Sequence, residues 1–387
     1  MLRKIQRLFR DFENEKKLYL PEAKSARFSH YLLIMLQYKI PETEYFKNGL
    51  YDVHVDHAEY LKGTTKIVHG WNNSLKRNKP DATAAWRVSH FIDFNVSRIL
   101  YPGLDARDYF MYEFYNIKHP VRKTFVTNGY LHKIDSKLNG PSNSKERDAI
   151  EDKSRFNSLY PDIITRKWIV SEKITFDELA DFLSGLDKVI AKPLDGMQGI
   201  GIFTKEIHRQ EDIEELYKTV SGHNYILEEV VEQHKDLRRL NPSSVNTVRV
   251  YSVNHDGTIS ITGAVLRIGR AGRVTDNYST GGMAAEIDID LGIVTSRAIN
   301  YNEEEYFVQP DTHEVILGMT IPKWKEIKET VINAHLRIPQ FGYVAWDVVV
   351  CEDGQVTFLE ANTCGGFELQ QHPCYKGKKN IYDAFMK

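Results

Sequence analysis

Two acids and an amide toward the C-terminal end, Asp347, Glu360 and Asn362, are the residues whose types and spacing most directly suggest chemistry. They lie in YVAWDVVVCEDGQVTFLEAN, where Asp353-Gly354 is a strong signal for a two-residue hairpin turn. With those two as the turn, Glu352 pairs with Gln355, and counting outward sets Asp347 directly opposite Glu360. Side chains alternate faces along a strand, so Asn362 shares the face of Glu360. The other face carries Trp346, Val348, Val350, Leu359 and Ala361, which suit a core. Facing carboxylates repel one another. A divalent cation reverses that sign, and carboxylate and amide oxygens suit Mg2+, which keeps several waters and binds substrate phosphates. The competing reading is a solvated polar face.

A second constellation is AKPLDGMQGIGIF, in which Lys192 ends a strand and Gly196, Gly199 and Gly201 follow. The glycines sit between two strands rather than opening a helix, so this is no dinucleotide fingerprint, and no Gly-Lys-Ser/Thr follows to make a P-loop. A β-hairpin flap fits: its backbone N–H groups close over phosphates with Lys192 as a point charge beside them. A purely structural glycine hairpin is the alternative. Between flap and carboxylates lies YILEEVVEQHKD, where Glu228 to Val231 form a hinge able to offer backbone groups to adenine. Asp236 could accept from ribose hydroxyls; His234 competes for that role, and a surface charge is the plain alternative. Arg267 in GAVLRIGR suits either an acceptor carboxylate or a structural ion pair. His54 and His57 in HVDH lack a third metal ligand, and Cys364 lacks a base partner and reads as packing.

These residues need strands to position them. DKVIAKPL, GIGIFTK, YILEEVV, NTVRVYSVN, TISITGAVLRIG, YVAWDVVVC and QVTFLEAN read as β-segments, with turns at HDG (His255 to Gly257) and EDG (Glu352 to Gly354). EDIEELYKTV reads as a helix. Residues 1 to about 135 are mostly helical in pattern, and SKLNGPSNSKERD (Ser136 to Asp148) has the composition of a linker or exposed loop. The whole is a helical N-terminal part followed by a largely antiparallel α+β body.

At 387 residues the chain exceeds what one core usually serves. A formal net charge of −2 offers no global field for nucleic acid. Three cysteines provide no disulfide framework and fit a reducing cytoplasm. No sustained apolar region follows the basic MLRKIQRLFR, so no signal peptide is expected, and the apolar run Tyr31 to Tyr38 is too short to span a bilayer. Leu2, Ile5, Leu8, Phe9 and Phe12 fall at helical spacing with basic residues on other faces, which suits packing on its own domain or peripheral membrane contact through residues 2–12. A soluble, cytoplasmic protein is expected.

Taken in order, the lysine of DKSRF (Lys153), Lys192 before its flap, the EEVV hinge, SSVNTVRV, DNYSTGG, Asp347 and the LEAN segment resemble the ATP-grasp superfamily. NTVRV with DNYSTGG and WDVVV…FLEAN is similar to its sugar-transfer-associated branch, related to glutamate-ligase-like enzymes, over roughly residues 150 to 370. The resemblance implies an α+β ATP-grasp fold: a helical domain (1–135), a linker or loop (136–150), a small subdomain with the flap (151–226) and a large subdomain with the Mg2+ site (227–387). It implies ATP and Mg2+ as cofactors, with Lys153, Lys192 and the Gly196–Gly201 lid on phosphates. Glu228, Glu229 and Val231 would line the adenine pocket, with Asp236 toward ribose. Asp347, Glu360 and Asn362 would hold magnesium, Glu360 bridging two ions. Arg249 would stabilise the transferring phosphate, and Asn277, Gly281 and Gly282 would approach phosphate or acceptor.

Family chemistry then implies attack of a carboxylate on the γ-phosphate, giving an acylphosphate that an amine resolves. The first expectation is a carboxylate–amine ligase acting on a small-molecule or glycan carboxylate. A phosphotransferase to a hydroxyl and a non-catalytic nucleotide-binding regulator are the rivals.

Overall fold

The computed structural model describes residues 57–101, 103–140, 145–194 and 201–385. The basic helix expected over 2–12, the run Tyr31 to Tyr38, His54, the His57 side chain, Gly196 and Gly199 lie outside what is described. The chain divides into two compact units, one of residues up to 123 with 127–130, the other of 124–126 with 131–387.

In the first unit the described regular elements are helices, His57–Asn78, Ala84–Leu100, Ala106–Met111 and His119–Arg122. Thr83 and Asp105 start two of them, accepting from the backbone N–H of Trp86 at 3.2 Å and of Asp108 at 2.8 Å. Trp71 packs against Phe94, Tyr109 and Phe110 as the aromatic centre. One charge enters that centre already neutralised: Arg122 donates to both oxygens of Asp93 at 2.9 and 2.8 Å.

The second unit carries two antiparallel sheets. In the smaller, β1 (Trp168–Val170), β2 (Lys188–Pro193), β3 (Phe203–Glu206) and β4 (Tyr225–Glu229) are ordered β1-β4-β2-β3. Helices Phe176–Leu183 and Gln210–Val220 cover it, burying Leu179, Leu183, Leu216 and Val220 against Val189, Ala191 and Leu227. Thr175 and Glu178 form a capping box that starts the first of these helices.

The larger sheet holds β5 (Val248–His255), β6 (Thr258–Ile268), β7 (Met283–Ile287), β8 (Ala298–Asn300), β9 (Glu305–Tyr306), β10 (Tyr343–Val350) and β11 (Val356–Asn362). Their order is β11-β10-β5-β6-β7-β8-β9. One face packs on helix Trp324–Leu336, with Val248, Val250, Trp346, Val348 and Phe358 in its core. Burial of these apolar faces is the main stabilising term for both sheets.

Two expectations change. Over 136–139 and 145–150 the stretch taken for a linker or exposed loop is helical, in Asn128–Asn139 and Lys145–Glu151. Asn139 is buried, donating to the carbonyls of Tyr343 at 2.8 Å and Thr363 at 2.6 Å, and buried Arg147 pairs with Asp135 at 2.8 Å. Polar residues that look like a loop in sequence are here satisfied inside the fold.

The hairpin differs as well. Cys351 N–H donates to the Gln355 carbonyl, leaving Glu352, Asp353 and Gly354 as a three-residue turn with Gly354 at φ +86°. Pairs run Val350 with Val356 to Val348 with Phe358, and then the register shifts so that Asp347 faces Glu360. The shift is a bulge at Leu359. Turn and bulge offset one another, so the expected acidic pair forms, but fully buried Phe358 takes the core position expected for half-buried Leu359.

Candidate active site

The register that sets Asp347 opposite Glu360 on β11 also sets it opposite Arg249 on β5. Arg249 faces Val265 on β6, and Arg267 stands two residues further along the same face. Asp347 is only 3% exposed, so its charge must be met inside the protein. Arg249 does so with two parallel bonds, Nε to Oδ1 at 2.6 Å and Nη2 to Oδ2 at 2.7 Å. Arg267 adds Nη1 to Oδ2 at 2.6 Å and turns Nη2 to Asp276 at 2.8 Å. The repulsion expected of the facing acids is therefore relieved first by the chain's own guanidinium groups. Of the two readings of Arg267, the ion pair is present.

Glu360 stands at the open side of this group, 3.6 Å from Arg249 Nη2, and accepts from the Asn362 amide at 3.2 Å. The two acids titrate in opposite directions. Burial works against ionising Asp347, but Arg249 and then Arg267 hold its carboxyl well below the usual range. At Glu360 desolvation and then the negative Asp347 push the carboxyl up, with Arg249 only partly compensating. With both ionised, two guanidiniums face Asp276, Asp347 and Glu360, one negative charge in excess.

That excess sits where a hard cation would fit. A carboxylate offers about four lone-pair sites, and Asp347 uses three, which leaves one on Oδ1. The Asn362 N–H bond to Glu360 leaves its carbonyl oxygen as an acceptor. Among the described residues no cluster of three or more His, Cys, Asp or Glu side chains is placed to hold a metal. A cation here would thus depend on two carboxylates, an amide and a ligand's own phosphates.

Lys192 lies at the end of β2, buried, its ammonium donating to Glu228 Oε2. Glu228, whose backbone was expected to line an adenine pocket, has its carboxylate buried and turned to Lys192, with Arg166 at 2.9 Å and Asn157 at 2.8 Å on Oε1. Burial opposes that charge, and Lys192 and Arg166 outweigh it, so the carboxyl lies well below the usual range. Two cations sharing one carboxylate leave this trio one positive charge in excess. Lys153, in helix Lys153–Leu159, reaches the Pro193 carbonyl at 3.2 Å, which brings it beside the residue after Lys192.

Gly201, the flap glycine within the described residues, has φ +78°, and a Cβ there would meet the Pro193 ring at 2.9 Å. Glu229 accepts from the Lys167 N–H at 3.0 Å, and Val231 is half-buried just beyond β4. Asp236 lies on the short helix Lys235–Arg238, half exposed and 3.6 Å from His234, so both ribose candidates share one spot.

The DNYSTGG segment is tied to the site by its first residue. Asp276 accepts from the Thr247 N–H at 2.8 Å and hydroxyl at 2.5 Å while holding Arg267. The Asn277 carbonyl accepts from Gly282 N–H at 3.0 Å, and Gly281 takes φ +107°. At Gly282 a Cβ would lie 2.3 Å from the Asp276 carbonyl, so only glycine allows this close return. Asn157, Arg166, Thr247 and Asp276 were not singled out by sequence reasoning. Two of them carried a signal, Asp276 as the head of the glycine-closed DNYSTGG motif and Thr247 within NTVRV. Burial pushes the Cys364 thiol up to about 11, and Asp135 adds to it, in keeping with a packing role.

The family model described as sugar-transfer associated ATP-grasp matches residues 134–380. The chain belongs to that family. Among curated proteins none matches it at a significant level. Solved structures similar in chain course include the ATP-grasp ligase PsnB with minimal precursor, Mg and ADP, at 15% identity and TM-score 0.38, covering 64% of this chain and 61% of that one. D-alanyl-alanine synthetase A from Vibrio cholerae stands at 13% and 0.38, covering 62% and 61%. Carboxyaminoimidazole ribonucleotide synthase from Aspergillus clavatus with ATP stands at 13% and 0.35, covering 56% and 45%. The chain thus spans about six-tenths of the PsnB chain it matches. The family's span takes in every candidate residue from Lys153 to Asn362. No helix among the described residues is long and apolar enough to cross a membrane.

Proposed function

We propose that this family member is an ATP-dependent carboxylate–amine ligase that uses Mg2+ and acts in the cytoplasm on a glycan-linked or small-molecule carboxylate. The observation that carries this reading is the opposite charge of two groups, one buried and the other largely buried except for Glu360 at its open side. Lys192, Arg166 and Glu228 hold one positive charge in excess, and with Glu360 ionised Arg249, Arg267, Asp276, Asp347 and Glu360 hold one negative charge in excess. A magnesium-bound triphosphate complements both, with anion toward Lys192 and cation toward Glu360.

In the proposed reaction an acceptor carboxylate oxygen bonds to the γ-phosphorus of ATP, the bond from that phosphorus to its bridging oxygen breaks, and ADP leaves. The amine nitrogen then bonds to the acyl carbon, inorganic phosphate leaves with the C–O electron pair, and the amine proton passes to solvent. Lys153 and Lys192 attract and orient the phosphates, and Arg249 and Arg267 offset charge gathering near Asp347. Mg2+ held by Glu360, Asn362 and the spare Asp347 lone pair would supply further neutralisation of phosphate charge. Asn277, Gly281 and Gly282 would border the acceptor, and the hinge 228–231 with Asp236 the nucleoside. The family's sugar-transfer association is the ground for expecting a sugar acid or glycan carboxylate.

The test is to incubate the chain with ATP, Mg2+ and a panel of carboxylates, with hydroxylamine replacing the amine. Carboxylate-dependent ADP and free phosphate, in step with hydroxamate, support the ligase, and E360A should abolish all three while staying folded. Phosphate retained on the product overturns it in favour of a phosphotransferase.

A further inference from the structure

The two charged groups are joined by one side chain. Arg166, between helix Lys153–Leu159 and β1, is buried, and its two terminal nitrogens serve different sheets. Nη2 donates to Glu228 Oε1 on β4 at 2.9 Å, and Nη1 donates to the Phe358 carbonyl on β11 at 2.7 Å. The other Glu228 oxygen accepts from Lys192. Phe358 stands beside the Leu359 bulge, where the ladder is interrupted, and two residues before Glu360.

We propose that Arg166 is a positioning residue for the site, setting Lys192 and the Glu360 strand relative to each other through Glu228 and the Phe358 carbonyl. The inference rests on the nucleotide reading above for its functional consequence. A guanidinium is planar and its N–H directions are fixed, so two bonds at its two ends constrain both partners at once. Asn157 at 2.8 Å holds Glu228 from a third direction, so the carboxylate passes the constraint on to Lys192. Arg166 also supplies the second cation of the trio. Without it Glu228 and Lys192 would neutralise one another, and the group would carry no net positive charge to offer a phosphate. A lysine at 166 would keep the charge but would not hold both acceptors as the fork does.

Hydrogen exchange and nucleotide binding test this together, on wild type, R166Q and R166K, with a non-hydrolysable ATP analogue and Mg2+. In R166Q, amides of 226–229 and 358–362 should exchange several-fold faster together while those of β7 stay unchanged, and the analogue should bind about tenfold more weakly. R166K should show the same direction with a smaller loss of affinity, and it decides the matter where R166Q does not fold. Wild-type exchange in both segments with wild-type affinity overturns the positioning role. Faster exchange with unchanged affinity overturns it too, since that is what a merely structural contact would give. A wild-type chain that binds no analogue instead overturns the nucleotide reading and with it the functional role of Arg166, and coupled exchange at the two segments would then mark a structural tie alone.

Discussion

Asp347 and Glu360 are neighbours of one chemical type with opposite environments. Arg249 and Arg267 make ionised Asp347 favourable in the fold, whereas Glu360 is held beside that negative charge with incomplete compensation. A carboxyl whose pKa is raised on folding contributes stability below its ordinary value and loses it as pH rises through the raised one. Glu360 therefore weakens the fold near neutral pH. Calorimetry in Mg2+-free buffer should find E360Q melting above wild type at pH 7, with the difference closing toward about pH 4. Mg2+ should narrow the pH 7 difference by stabilising wild type. A glutamine variant that melts lower at pH 7 would remove the argument that a cation belongs there.

The same dipeptide, Asp-Gly, closes two hairpins of the larger sheet in different ways. At Asp256-Gly257 both residues have positive φ, +50° and +83°, and His255 pairs with Thr258, a two-residue turn. At Asp353-Gly354 only the glycine does, and the turn takes in Glu352. Asp353 Oδ1 accepts from the Gln355 N–H at 2.9 Å, and Glu352 N–H is engaged by the Glu232 carbonyl at 2.9 Å. The longer turn is thus secured by a contact remote in sequence. Its consequence is measurable by denaturant unfolding. F358A should cost about 3–5 kcal/mol, as for a buried aromatic, and L359A well under half of that. The reverse ranking would restore the two-residue turn and its unbulged register.

Across the second unit, two sheets each carry one part of a charge pattern that neither completes alone. Ligands that bind only the folded state stabilise it by mass action, about 2.7 kcal/mol at a hundredfold excess over Kd. Mg2+ with ATP should therefore raise the melting temperature by several degrees, ATP without Mg2+ by less, and E360A should lose the difference between the two. Equal shifts with and without the metal in wild type would separate the carboxylate strand from nucleotide binding.

The local residue order of this chain determined β2 to β6, β10, β11 and the helical N-terminal part, because alternation and turn residues act over a few positions. It also carried the ordered motifs that mark the family. Asp347 meets Glu360, however, only because a three-residue turn and a bulge at Leu359 offset one another. Tertiary structure alone decided who neutralises Asp347, since Arg249 and Arg267 come from β5 and β6, 98 and 80 residues away. It placed the Glu228 carboxylate against Lys192. It also gave Arg166 two partners on separate sheets, 62 and 192 residues along the chain. Buried charge is satisfied by whatever the packed fold brings within hydrogen-bond reach, and no spacing rule along the chain encodes such distant partners.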